Sequence, residues 1–196
     1  MLRRAEICSP TASAESARGF RNAVLSLNQM ATKIQVPVEE YLATSFEDGD
    51  REYLDGQIVE RNVGDNSHSM VQGRLAGIFH EVSKRNVLHL RPELRVRTGP
   101  ARYRVVDLAI FQGQAPTERF PSSPPHIVIE IVSPDDRFTK IVEKLDEYHR
   151  WGAPHVWLVD PNSRKLSVYG AAGLLEVPAF ELPEFDLRLT FADLTD

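Results

Sequence analysis

Asp107 and Glu130 each interrupt a short apolar stretch that otherwise reads as the interior of a β-sheet. The first stretch is Val105-Val106-Asp107-Leu108-Ala109-Ile110-Phe111 and the second is Ile127-Val128-Ile129-Glu130-Ile131-Val132. Both are rich in β-branched residues, free of Gly and Pro, and bounded by turn residues, the pattern of central strands buried on both faces. An ionised carboxylate in such surroundings is strongly disfavoured unless a partner compensates its charge. A divalent cation is one such partner, because hard ions such as Mg²⁺ take oxygen ligands from one or two carboxylates. Asp107 and Glu130 are therefore candidate metal ligands. Phosphodiester hydrolysis fits them, since a held divalent ion polarises a phosphate and acidifies water.

A lysine beside the attacking water would orient it or stabilise developing negative charge. The usual acid-x-lysine position after Glu130 is taken by Val132. The following helix offers Lys140, Lys144 and Tyr148, spaced four apart on one side. Lys144 adjoins Ile141 and Leu145, so its stem can pack while its amine reaches the strand end. Plainer readings stand beside these. Asp107 would serve as a buried acid bonded to a backbone turn or paired with an arginine, with Arg95, Arg97, Arg102 and Arg104 near in sequence. Lys144 alone reads as a solvated helix lysine. Taken as a set, and in this order, the three favour a site.

Two further candidates flank them. His68, near a helix N-terminus, suits a base, a ligand or a phosphate contact, and equally a capping or surface histidine. Glu60 is a possible additional acid, though a glutamate at a hairpin end is more often solvated. Arg91, Arg95 and Arg97 alternate along one strand, and with Arg102 and Arg104 make the densest basic run in the chain. Phosphate contact by Arg95, Arg97 and Arg104 is the functional reading, and an ordinary exposed hairpin face the plainer one. His80, His89, His126, His149 and His155 show no metal-ligand spacing with one another, which speaks against zinc.

The elements that must position these groups follow from the pattern. Pro37 opens a short helix, and Asp55-Gly56 turns a hairpin within residues 51–61. A helix capped by Asn66 or Ser67 runs to about residue 84 on a stripe of Val71, Leu75, Ile78, Phe79 and Val82. Strands over 88–98 and 103–111 join at Gly99-Pro100, and another spans 126–132. A helix over 139–151 ends at Gly152 and precedes strands at 155–160 and 165–169. The remainder reads as a less regular acidic tail with some strand character. This order describes a mixed α/β (α+β) domain around a sheet.

With 196 residues, 42% of them hydrophobic and 26% charged, the chain suits one soluble globular domain. Its single cysteine, Cys8, excludes an intramolecular disulfide framework and makes a reducing, cytoplasmic setting the default. No apolar run is long enough to cross a bilayer. The net charge of −5 opposes wholesale electrostatic binding to nucleic acid but leaves room for a local basic groove. Residues 1–33 mix Ala, Ser and Arg with no sustained apolar face. A transit-like presequence has that composition, as do a disordered tail and an extension upstream of a true start at Met30. The expectation is a disordered or over-annotated extension followed by one domain over 34–196.

The run Glu130-Ile131-Val132-Ser133-Pro134-Asp135-Asp136-Arg137, then Glu143-Lys144-Leu145 with Tyr148, then Trp157-Leu158-Val159-Asp160-Pro161, resembles the Uma-type family of restriction endonucleases within the PD-(D/E)XK nuclease superfamily. Tyr53-Leu54-Asp55-Gly56, Ile58-Val59-Glu60, His68 ahead of the Leu75 helix, and Val106-Asp107-Leu108-Ala109 fit the same pattern upstream. The resemblance implies a restriction-endonuclease-like core, a central mixed β-sheet flanked by helices. It also implies hydrolysis of DNA phosphodiester bonds with Mg²⁺ or Mn²⁺. By position it makes Asp107 and Glu130 the metal-binding acids and Lys144 the family's displaced lysine. Val106 stands where the superfamily places a proline. Restriction-like nucleases often cut as dimers, so a homodimer is expected on resemblance alone. The competing reading is a non-catalytic nucleic-acid-binding or protein-interaction module on the same fold. Hydrolysis of a small phosphorylated molecule lacks any Gly-rich phosphate cradle.

Overall fold

The computed structural model describes residues 35–47 and 50–195. The expectation for residues 1–33 lies outside the described residues. Residue 35 onward forms one compact unit.

The central element is β4 (Arg102–Gln112), a long antiparallel partner of β3 (Leu88–Gly99). The opposite side of β4 is shared by two strands. Near its start, β1 (Glu52–Leu54) pairs at Tyr53↔Tyr103 and Leu54↔Arg102, and toward its end β5 (Ile127–Ile131) pairs at Leu108↔Ile129 through Ile110↔Ile127. Residues 104–107 lie between these two pairings. Their backbone groups on this side, away from β3, must find partners elsewhere, and that gap is where the candidate site forms.

The hairpin partner of β1 is β2 (Gln57–Val59), joined through Asp55 and Gly56, both at positive φ as the expected turn requires. Beyond β5 come the parallel β6 (His155–Asp160), then antiparallel β7 (Lys165–Gly170) and β8 (Gly173–Val177). The sheet among the described residues is thus eight-stranded and mixed, with β5 and β6 its parallel pair. The tail is more regular than its composition suggests. It adds β8 to the sheet and builds a separate two-stranded ladder from β9 (Phe180–Leu182) and β10 (Leu187–Leu189).

Helix α1 (Val38–Ala43) begins after Pro37 and buries Tyr41 against Tyr53 and Tyr103. Helix α2 (Asn66–Ser83) buries Val71, Leu75, Phe79 and Val82, as the stripe predicts, each burial stabilising by about 1.5–3 kcal/mol. Its N-cap is Asp65, whose carboxylate accepts from the His68 backbone N–H at 2.9 Å, rather than Asn66 or Ser67. Those two residues already hold helical positions within the first turn. Helix α3 (Phe138–Trp151) connects β5 to β6 and stops at Gly152, whose φ of 106° suits glycine.

The two layers follow from which side of each strand is apolar. Leu108, Ile110, Ile127 and Ile129 pack with α2 and with Phe180, Leu182 and Leu189 of the C-terminal segment. Ala109, Phe111, Val128 and Val156 pack with Leu145 and Tyr148 of α3. Strands β4 and β5 are consequently buried on both faces. No helix among the described residues is long and apolar enough to cross a membrane.

Candidate active site

In the gap between β1 and β5, the strand-free edge of β4 is satisfied by polar and charged side chains. The Val105 N–H donates to Glu52 Oε1 at 3.1 Å, and the Val105 carbonyl accepts from Lys144 Nζ at 2.8 Å. The Asp107 carbonyl accepts from Gln72 Nε2 at 2.9 Å. Acids and bases from β1, β4, β5 and α3 are thereby drawn to one place.

Lys144 is the hub. Besides the Val105 carbonyl, its ammonium donates to Glu130 Oε2 at 2.8 Å and forms an ion pair with Glu52 Oε1 at 3.1 Å. Burial opposes its charge, but Glu130, Glu52 and Asp107 outweigh that and raise its pKa, so the amine stays protonated. Glu130 gives its other oxygen to the Tyr148 hydroxyl, which donates at 2.9 Å. Burial is the dominant influence on Glu130 and Asp107 adds repulsion. Lys144 only partly offsets these, and the carboxyl is pushed up to about 7. The two acids therefore sense each other's charge.

Asp107 is more firmly ionised. Burial alone would raise its pKa, yet the hydrogen bond with His68 and the charges of Lys144 and Arg61 hold it below the usual carboxylate range. Arg61 Nη2 donates to Asp107 Oδ1 at 2.7 Å, while Oδ2 accepts the Ile131 N–H at 2.8 Å and meets His68 Nε2 at 3.3 Å. Burial disfavours charge on His68, but Asp107 and Glu93 more than restore it and raise its pKa. Gly64 makes room for this imidazole. A Cβ there would lie 2.5 Å from His68 Nδ1.

These groups line a cleft of about 1010 Å³. The structure brings Asp107, Glu130, Lys144 and His68 together as a set. Glu60 lies on the rim with its side chain 77% exposed, held by Arg51. Arg104 requires a correction. It is buried, donating to Glu52 Oε2 at 2.6 Å and Glu147 Oε2 at 2.7 Å, so it braces the sheet and offers no phosphate contact. Arg95 also sits inward, bonded to Asp50 and stacked over Tyr41 and Phe120. Arg97 alone of the three is exposed. At the cleft mouth the exposed cations are Arg137 and Lys140 instead.

Sequence reasoning missed Glu52 and Arg61. Glu52 is buried, with its pKa lowered because Lys144 and Arg104 outweigh burial. Arg61 is the arginine partner that Asp107 does have, and it comes from the exit of β2 rather than from the neighbouring basic run.

Residues 38–195 match the Uma2 family, described as "Putative restriction endonuclease". The chain belongs to the Uma2 family. Among solved structures it is similar to the crystal structure of a putative nuclease belonging to DUF820 from Anabaena variabilis ATCC 29413. The identity is 24%, the TM-score is 0.69, and the match covers 81% of this chain and 97% of that one. That likeness makes the fold restriction-endonuclease-like. The comparison with curated proteins finds no match.

Proposed function

We propose that this Uma2 member is a metal-dependent endonuclease that hydrolyses DNA phosphodiester bonds, within the PD-(D/E)XK nuclease superfamily. The observation that carries this reading is the convergence of Asp107, Glu130 and Lys144 in one cleft, with Lys144 Nζ 2.8 Å from Glu130 Oε2.

The donor set suits a hard cation. Two carboxylates on adjacent strands, in a cleft open to water, match the ligation of Mg²⁺ or Mn²⁺, which keep waters and phosphate oxygens in their remaining positions. Asp107 and Glu130 would hold the ion, which supplies Lewis-acid charge at the scissile phosphate. Lys144 remains protonated, so it orients the attacking water and stabilises developing negative charge rather than accepting a proton. His68 and the Ile131 N–H fix the rotamer of Asp107. Arg137 and Lys140 at the mouth would bind the phosphate backbone, and Arg97, exposed on β3 outside the cleft lining, would be a further phosphate contact. A cytoplasmic homodimer is part of the proposal, because paired clefts would cut both strands of a duplex.

The test is cleavage of plasmid DNA with Mg²⁺ or Mn²⁺. Nicked and linear products are expected, abolished by EDTA and by Asp107→Asn or Glu130→Gln in protein that still folds. Full activity in both variants would reject the assignment. One observation favours a second reading, a non-catalytic binding module: every oxygen of the two carboxylates already has a protein donor, Arg61 among them. That reading predicts DNA binding without cleavage and no Mn²⁺ uptake dependent on Asp107 and Glu130.

A further inference from the structure

A second cluster lies at the other end of the parallel strands. His126 immediately precedes β5 and His155 opens β6, where Ile127 pairs with His155 and the His155 N–H donates to the His126 carbonyl. Glu184 arrives from the short 3₁₀ turn Pro183–Phe185 between β9 and β10. His126 Nε2 lies 3.2 Å and His155 Nε2 3.4 Å from the same atom, Glu184 Oε1. One ligand atom from each residue lies within 4.8 Å of the others, and among the described residues no other three His, Cys, Asp or Glu side chains meet that condition.

We propose that His126, His155 and Glu184 form a transition-metal site, filled by Zn²⁺, that pins the C-terminal segment to the sheet. Zinc bonds to imidazole nitrogen and carboxylate oxygen at about 2.0–2.2 Å in a tetrahedron, so its ligand atoms stand roughly 3.3–3.5 Å apart. The His155–Glu184 spacing of 3.4 Å falls on that edge and the His126–Glu184 spacing of 3.2 Å, which is a hydrogen bond while no ion is bound, lies just inside it. Two imidazoles and one carboxylate select zinc over magnesium, whereas the all-carboxylate pair at Asp107 and Glu130 selects the harder ion. The ligands are held before any ion arrives. The histidine backbones are set side by side at the strand ends and their rings meet edge-on at 5.0 Å, while Glu184 is flanked by Pro183 and by Phe185, which is buried and meets the His126 ring edge-on at 5.6 Å. Glu184 is exposed, which leaves the fourth position to water. The ion's role, tying the 3₁₀ turn to the ends of β5 and β6, rests on where the three ligands come from. Along β5, His126 and Glu130 are roughly 13 Å apart, so this site is independent of the nuclease reading.

The experiment is zinc loading of the full chain, followed by dialysis, metal analysis and thermal melting. One retained Zn²⁺ per chain is expected in the wild type and in the Asp107→Asn/Glu130→Gln variant, with a raised melting temperature in both. His126→Gln/His155→Gln should retain none and show no zinc-dependent shift. Glu184→Gln changes a surface side chain and should fold whatever the histidine variant does. Its zinc affinity should fall on the order of tenfold or more. A wild type that retains no zinc, or unchanged stoichiometry and affinity in the histidine and Glu184 variants, would overturn the site.

Discussion

Arg61 grips Asp107 through Nη2 and Oδ1 at 2.7 Å and reaches Glu93 with its other terminal nitrogen at 2.6 Å. The guanidinium thus supplies the compensating charge that the apolar setting of Asp107 demands. It arrives from outside the sheet, on a segment that follows the β1–β2 hairpin. A cation bound at Asp107 would supply the same compensation, so on the proposed function arginine and metal would compete for one oxygen.

Removing the arginine should expose that exchange. Arg61→Gln leaves the buried carboxylate hydrogen-bonded only by His68 and the Ile131 N–H, and should destabilise the metal-free protein by about 3–5 kcal/mol. Mn²⁺ should restore more melting temperature to this variant than it adds to the wild type. Equal Mn²⁺ shifts in both proteins would mean that Arg61 and the cation do not share Asp107.

Lys144 provides a separate measure. Lys144→Met preserves most of the packed stem and deletes the charge that bridges Glu52, Glu130 and the Val105 carbonyl. Cleavage should fall by about 10²–10³-fold, the effect of losing one electrostatic stabiliser of a transition state. Mn²⁺ affinity measured by calorimetry should not fall, because the carboxylates lose a competing cation. A parallel collapse of metal binding would recast Lys144 as a scaffold for the acids.

How much of this was legible depended on local contrast. Asp107 and Glu130 stood out because Val, Ile and Leu surround them, and the strands they mark are buried as expected. Glu52 and Arg61 carry no such contrast. They sit among polar hairpin residues, and their burial arises only when β1 docks beside β4. Arg104 misled for the converse reason. An alternating arginine pattern looks like a solvated face until Glu147 of α3 and Glu52 of β1 close over it. His126, His155 and Glu184 lie on three separated elements, so helical or strand spacing could not pair them. The β8–β10 region read as tail because its apolar residues, Leu174, Phe180 and Leu182 among them, are split by short polar turns.

The raised pKa of Glu130 sets a direction with pH. Its folded-state value of about 7 lies above the ordinary 4.5, so the folded metal-free protein holds a proton that the unfolded chain has lost. The resulting stability is fully present below about 4.5 and disappears as pH rises through about 7. Metal uptake has the opposite slope, since a cation competes with that proton. Mn²⁺ affinity should therefore increase from pH 6 to pH 8 in the wild type, and Glu130→Gln, besides weakening binding, should make this dependence shallower, leaving the part due to His68 beside Asp107. Calorimetric titrations at the two pH values decide it.

Glu147 predicts acid sensitivity of the opposite sign. Burial opposes its ionisation, but hydrogen bonds from Arg102, Arg104 and Thr98 lower its carboxyl to about 2. A depressed carboxyl contributes stability present above about 4.5 and lost as pH falls toward about 2. Its contribution should be about 2–3 kcal/mol. Glu147→Gln should flatten the acid limb of a pH–stability curve, and an unchanged limb would remove Glu147 from that role.

Gly64 and His68 offer the most local test of how Asp107 is held. A methyl group at residue 64 would come within 2.5 Å of His68 Nδ1 and 2.7 Å of its Cγ, closer than real side chains approach. Because the ring is buried, Gly64→Ala must tilt it away from Asp107 Oδ2, at an overpacking cost of about 1–3 kcal/mol. Cleavage should drop by about tenfold as the carboxylate loses its fixed rotamer. The same substitution in a His68→Ala background meets no ring, so it should cost almost nothing further in rate or stability. That non-additivity is the diagnostic, because a double-mutant cycle isolates the contact between the two residues. Independent, additive losses would show that Gly64 serves the backbone of the β2–α2 connection rather than the imidazole beneath it.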